Sequence, residues 1–220
     1  MKYLITFEKG DSARWLGHLD ILRTFERAIR RSELPIAFTS GFNPRERISF
    51  ASALPVGVTG SFEPATIELT SPIPPAQVIT QLNEKLPPGI QLRTAEVIPD
   101  ENSRDVMNLL NRAEMDVICT FPDGVEIQEL EAAVAELMAQ PELMVHRERE
   151  KKTRDVDIRP YLHEILVRSI ENGRLNLTIT FAFGSEGSAR PSEVISFLAT
   201  QFPGIAVRRV HRSRLLNSDA

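Results

Sequence analysis

The sequence predicts an α+β protein of two tandem ferredoxin-like (βαββαβ) domains with antiparallel sheets. Three observations carry that expectation. Extended and helical patterns run β, α, β, β, α, β through residues 2–98, and run so again, with one extended segment to spare, through 114–210. An Asn-Gly pair at 172–173 separates two alternating segments, the strongest short hairpin signal there is. Finally, 220 residues with 42% apolar and 25% charged side chains suit an ordinary globular chain that can bury one large core or two small ones. The expected layout is an N-terminal domain over 1–100, a linker over 101–113 and a C-terminal domain over 114–220.

In the first half, residues 2–9 alternate Tyr3, Ile5 and Phe7 against Leu4 and Thr6 and read as a strand. Gly10 opens a turn. A helix follows from His18 to about Ser32, with Leu22, Phe25 and Ile29 on an apolar face and Arg23, Arg27 and Arg30 on the other flank beside Arg31. Residues 35–39 and 48–51 are extended on either side of the loop SGFNPRER. Two glycines and two prolines make 54–64 a loop before a strand at 65–70. Val78, Ile79, Leu82 and Leu86 mark a helix over 76–86; Pro87, Pro88 and Gly89 stop it, and 90–98 is a strand.

The linker is expected to hold a short helix through Val106, Leu109 and Leu110. Beyond it, 114–121 reads as a strand and 125–140 as an amphipathic helix with Leu130, Val134 and Leu137 inward. Residues 142–149 are extended, and 164–170 and 174–183 are the hairpin strands. A helix over 192–202 begins after Pro191, and 204–210 closes the sheet.

Composition excludes several classes. Cys119 is the only cysteine, so no internal disulfide and no cysteine-built metal site can form. The four histidines are dispersed, without HxH or HExxH spacing, and no Walker, GxGxxG or GxSxG motif is present; no metal and no cofactor are expected. No apolar run approaches the roughly 20 residues needed to cross a bilayer, and the first residues read as a strand rather than a signal peptide, so a cytoplasmic protein without membrane contact is expected. The net charge of −4 is unevenly spread: eleven acids face two arginines over 100–142, whereas 207–214 holds four arginines and no acid.

The candidate site is the arginine helix and its loop. Six arginines meet a Gly/Asn/Pro loop within residues 18–51, a combination better suited to gripping a polyanion than to chemistry. Guanidinium forks match phosphate oxygens bidentately, and Phe42 and Phe50 offer faces for an unpaired base. The expected nucleic-acid contacts are Lys9, His18, Arg23, Arg27, Arg30, Arg31, Gly41, Phe42, Asn43, Pro44, Arg45 and Arg47, with a secondary basic set of Lys151, Lys152, Arg154, Arg208 and Arg212. The competing reading is a salt-bridged surface, with Glu26–Arg30 as an i,i+4 pair and the aromatics in the core. His18, at a helix start, has the chemistry of a general base but is more often a packed residue, so no catalytic residue is assigned.

The motifs KG at 9–10, GHLD at 17–20, FERAIRRSELPIAFTSGFNP at 25–44 and ISFA at 48–51 resemble the radical-SAM-linked family, bacterial domains of unknown function found beside or fused to radical SAM enzymes. The resemblance is dense over residues 3–60 and looser at 151–161 and 187–194. The family's loop usually has His and Pro where this chain has Arg45 and Glu46, so no role for that His transfers. A radical SAM enzyme needs three cysteines for its cluster; this chain has one and is not such an enzyme. The resemblance implies a radical SAM partner. Together these readings give an accessory protein, not itself an enzyme, that binds RNA (tRNA or rRNA). The alternatives are an interaction module docking on a radical SAM enzyme and an RNA endonuclease like the CRISPR repeat-processing type, by analogy of fold order alone. The sequence does not indicate an oligomeric state.

Overall fold

The computed structural model describes residues 1–99, 109–149, 152–184 and 187–217, and divides into two compact units, Met1–Leu110 and Asn111–Ala220. The architecture is mixed α+β. Within each unit, every strand pairing among the described residues is antiparallel.

The first unit runs β1 (Lys2–Lys9), α1 (His18–Ser32), β2 (Ile48–Phe50), β3 (Val58–Glu68), α2 (Pro75–Asn83) and β4 (Ile90–Ile98), with its strands in the order β4-β1-β3-β2. The alternation of β1 buries Tyr3, Ile5 and Phe7 against Phe25 and Ile29 of α1 and Val78 and Leu82 of α2. Phe7, Phe25 and Phe50 meet edge to face at 4.9–5.7 Å, a geometry that adds to their burial. Truncating the fully buried Phe25 to alanine carries a cost of about 3–5 kcal/mol. The buried Tyr3 hydroxyl donates to the Ile73 carbonyl at 2.8 Å and accepts from its N–H at 2.9 Å, so its polar end is satisfied.

The phase of α1 and the bounds of β3 and α2, which ends at Asn83 and not at Leu86, differ from expectation. The inward stripe of α1 is Ile21, Phe25, Ala28 and Ile29; Leu22 is half-buried and Leu19 is 62% exposed. Three aliphatic residues within one turn leave the phase of the stripe open, and tertiary packing decides it. β3 starts at Val58, inside the expected loop. Pro64 is compatible with a strand because it lies one residue past the last β2 pair, Phe50 opposite Ala65, where it only accepts a bond from Ala51 N at 3.0 Å.

The second unit runs β5 (Arg112–Thr120), α3 (Ile127–Ala139), β6 (Met144–Arg149), β7 (Lys152–Asp157), β8 (Leu162–Glu171), β9 (Arg174–Ala182), α4 (Pro191–Leu198) and β10 (Ala206–Leu216). Its main strands lie in the order β10-β5-β9-β8, and β6 and β7 form a separate hairpin. Asn172 (φ 52°) and Gly173 (φ 69°) make the left-handed turn between β8 and β9 that the dipeptide announces. Val117, Cys119, Leu130, Val134, Ile179, Val194 and Leu198 share the core.

The single spare segment of the sequence reading is thus two strands, with Met144 opposite Asp157. β10 continues to Leu216 because its partner β5 already begins at Arg112, so Arg112 and Ala113 belong to a strand and not to the linker. Residues 100–108, with the expected helix through Val106, lie outside the described residues. Among the described residues, no helix is long and apolar enough to cross a membrane, and no group of three or more His, Cys, Asp or Glu side chains is placed to hold a metal ion.

Candidate nucleic-acid interface

α1 begins where Gly17 N donates to the Asp20 carboxylate at 3.1 Å, the carboxylate half of a capping box, while Asp20 N donates to the Gly17 carbonyl at 3.1 Å. From there, helical spacing leaves Arg23, Arg27, Arg30 and Arg31 exposed along the flank away from Phe25. The following loop is closed into a hairpin-like finger. Phe38 and Glu46 bridge, Thr39 N donates to the Arg45 carbonyl at 2.8 Å, and Arg45 N donates to Thr39 Oγ1 at 3.0 Å. Gly41 takes φ 129°, a region only glycine occupies readily, and turns the tip. Phe42 stands at that tip, fully exposed at 106%, and Asn43, Pro44 and Arg45 are exposed beside it.

Helix and finger flank one groove of about 290 Å³, lined by Leu19, Leu22, Arg23, Glu26, Arg30, Arg45 and Glu46. Three arginines against two glutamates leave one net positive charge there. The Arg30 guanidinium donates through Nε to Glu46 Oε1 and joins a largely exposed cation to a fully buried carboxylate. That bond holds the Glu46 carboxyl below its ordinary range, and it also raises Arg30, with the Coulomb fields of Glu46 and Glu26 adding to it. The sequence-level pair Glu26–Arg30 is therefore replaced by Arg30–Glu46, because the finger brings a second carboxylate closer than the helix does.

The other expected residues divide. Arg27 is exposed on α1 but outside the groove lining. Arg31 donates to the carbonyls of Arg27 and Lys85, each at 3.2 Å. Arg47 pairs with Glu68 at 2.9 Å and donates to the Phe38 carbonyl, bracing the finger's base. Lys9 is a correction: it is fully buried with its ammonium donating to the Pro55 carbonyl at 3.2 Å, so it is not part of a solvent surface. His18 is half-buried, its ring edge-on to Phe50 at 5.8 Å, and Phe50 is itself half-buried against the aromatic cluster.

In the secondary set, Arg154 and Arg208 are exposed. Lys152 begins β7, and Lys151 lies outside the described residues. Arg212 is a second correction. Bulges on either side of it shift the alternation of β10, leaving it 3% exposed with its guanidinium 5.5 Å from the Phe183 ring. Sequence reasoning missed Glu46, Leu19 and Leu22 as groove residues. For Leu19 and Leu22 no signal was present, since the sequence leaves open which of Leu19, Ile21 and Leu22 belongs to the buried stripe.

Residues 2–191 match the model of a family described as "Uncharacterized protein conserved in bacteria" (DUF2344). No curated protein matches the sequence. Among solved structures, the chain is similar to a chain of a Cbf5–Nop10–Gar1 complex (12% identity, TM-score 0.57, covering 97% of this chain and 48% of that one). It is also similar to a chain of an H/ACA ribonucleoprotein bound to a substrate RNA containing 2'-deoxyuridine (12%, TM-score 0.54, 97% and 47%). A third is in an archaeal box H/ACA Nop10–Cbf5 complex (11%, TM-score 0.52, 97% and 47%). At these identities the likeness is one of fold, and this chain spans about half the length of the chains it resembles.

Proposed function

The chain belongs to the family of uncharacterized conserved bacterial proteins whose model spans residues 2–191, and from that premise we propose that it binds single-stranded RNA through the arginine-lined groove of its first unit. One observation carries the proposal: Arg23 and Arg30 of α1 and Arg45 of the finger line the same groove, with Phe42 fully exposed at the finger's tip. Guanidinium forks bind phosphate oxygens, and an exposed phenyl ring offers a face on which an unpaired base stacks. Arg23, Arg27 and Arg45 have no ion pair among the described residues and are available to a ligand, whereas Arg30 and Arg47 are engaged by Glu46 and Glu68 and hold the finger. The structural neighbours include a ribonucleoprotein bound to a substrate RNA, which leans the same way.

In this proposal each unit is a ferredoxin-like domain, the first running from β1 to β4 and the second from β5, at Arg112, to β10. The strand orders β4-β1-β3-β2 and β10-β5-β9-β8 support it, because in both each helix carries the chain over one intervening strand. The fuller form, a cytoplasmic accessory that presents tRNA or rRNA to a radical SAM enzyme, rests on the resemblance of residues 3–60. A docking module is the second reading, favoured by Trp15, which is 66% exposed with the Arg14 guanidinium 4.6 Å from its ring. Among the described residues nothing around His18, packed on Phe50 outside the groove lining, supports the nuclease reading.

The test is a triple variant, Arg23→Ala, Arg27→Ala and Arg45→Ala, titrated against fluorescent single-stranded RNA over a salt series. Each lost phosphate contact flattens the slope of log K against log salt by about 0.7, so three contacts flatten it by about 2. Folding is expected to be unchanged, since exposed charges are worth under about 1 kcal/mol. Identical affinity and slope in wild type and variant would end the RNA reading.

A further inference from the structure

The geometry points to a base-reading subsite within this groove, in which Glu46 accepts a hydrogen bond from the exocyclic amine of one unpaired nucleotide. It rests on the RNA reading above and deepens it by naming what the groove selects. Glu46 Oε1 is taken by Arg30, but Oε2 is buried without a hydrogen-bond partner, and the side chain is 0% exposed. Among the buried side-chain atoms of the described residues, it is the one left so. A buried carboxylate oxygen with no donor is costly to keep. The hydrogen bond from Arg30 keeps the carboxyl ionised, so it acts as an acceptor only and seeks a donor.

The rest of the lining fits one nucleotide. Leu19 and Leu22 supply an apolar wall for a base, and Arg23 and Arg45 supply cations for its phosphates. Glu26 and Glu46 repel phosphate, so the base edge turns towards them. The exocyclic amines of cytosine, adenine and guanine present N–H groups to a carboxylate. The imino N–H of uracil lies between two carbonyl oxygens that a carboxylate repels. A hydrogen bond to a charged group then gives amine-bearing bases about a tenfold preference over uracil.

The experiment compares short single-stranded RNAs of cytosine, of uracil and of N4,N4-dimethylcytosine, which keeps the ring and removes both amine hydrogens. Affinities and salt slopes are measured for wild type and for Glu46→Gln. The expected result is cytosine about tenfold tighter than the other two on wild type, with the three levelled in Glu46→Gln and the salt slope no flatter than in wild type, because the change removes no cation and releases Arg30. Equal binding of all three by wild type, at an unchanged slope, overturns the subsite and leaves the RNA reading standing. A loss confined to the dimethylated base, with uracil equal to cytosine, reports bulk and also overturns it. If wild type binds none of them at low salt, the RNA reading itself falls. Should Glu46→Gln fail to fold, the three-base comparison on wild type decides alone.

Discussion

Replacing Glu193 with alanine removes three bonds at once. Its carboxylate accepts from Arg147 Nε and Nη2 at 2.7 and 2.8 Å and from Arg190 N at 2.9 Å. The first two fasten the β6–β7 hairpin to the start of α4; the third caps that helix. Both ionised side chains are nearly buried, at 14% and 13% exposure, and the pairing raises Arg147. Losing the cap costs about 1 kcal/mol. Stranding a nearly buried guanidinium costs at least about 2 kcal/mol more, because among the described residues only the Ser188 carbonyl, at 2.6 Å, remains to accept a hydrogen bond from it. The sum, about 3 kcal/mol, corresponds to a fall in Tm of about 6–12 °C for a chain of this size. Urea unfolding of Glu193→Ala, Arg147→Ala and the double variant measures it, with an expected coupling of about 2 kcal/mol between the two sites. A Glu193→Ala variant within about 1 kcal/mol of wild type, or strictly additive single changes, would refute the clamp.

Three further outcomes follow from single environments. Because its folded carboxyl titrates below the ordinary 4.5, the stability from the Arg30–Glu46 pair is fully present above that pH and is lost as pH falls through the lowered value. Acid titrations of wild type and Glu46→Gln should therefore differ fully above pH 4.5, draw together as pH falls below it, and converge only below the lowered value of the folded Glu46 carboxyl. Burial pushes the Cys119 thiol up to about 12, so alkylation at neutral pH should require denaturant; rapid labelling of the native protein would contradict its place in the core. In Gly89→Ala the added carbon runs into Ser12 Oγ and meets the Ala13 backbone nitrogen at 2.8 Å, at a backbone φ of 89°. Unfolding measurements should show a loss of about 1–3 kcal/mol, and a neutral substitution would mean that this turn rearranges.

Legibility in the sequence followed locality. The alternation of β1, the Asn-Gly turn and the strand at 90–98 depend on neighbours along the chain, and they are seen as read. The same alternation continues from Phe7 to Lys9 and assigns it to the inner face, so the burial of Lys9 was readable and its positive charge obscured it. Arg212 was not readable, since two bulges that exist only against β5 set its side. The run containing Arg147 looked like solvated charge because its partner, Glu193, lies 46 residues away. In the candidate site, the arginine flank of α1 and the finger were legible as composition and turn chemistry. That they share a groove, and that Glu46 ends beneath Arg30, depends on how the finger folds back over the helix.

The measurement that bears most directly on the RNA-binding claim is photo-crosslinking of single-stranded RNA to the intact protein, with the linked peptides identified by mass spectrometry. The account predicts crosslinks at residues 39–47, above all at Phe42, and along α1 near Arg23 and Arg27. They should disappear in the triple arginine variant. Crosslinks confined to the second unit, at Arg154 or Arg208, would contradict it.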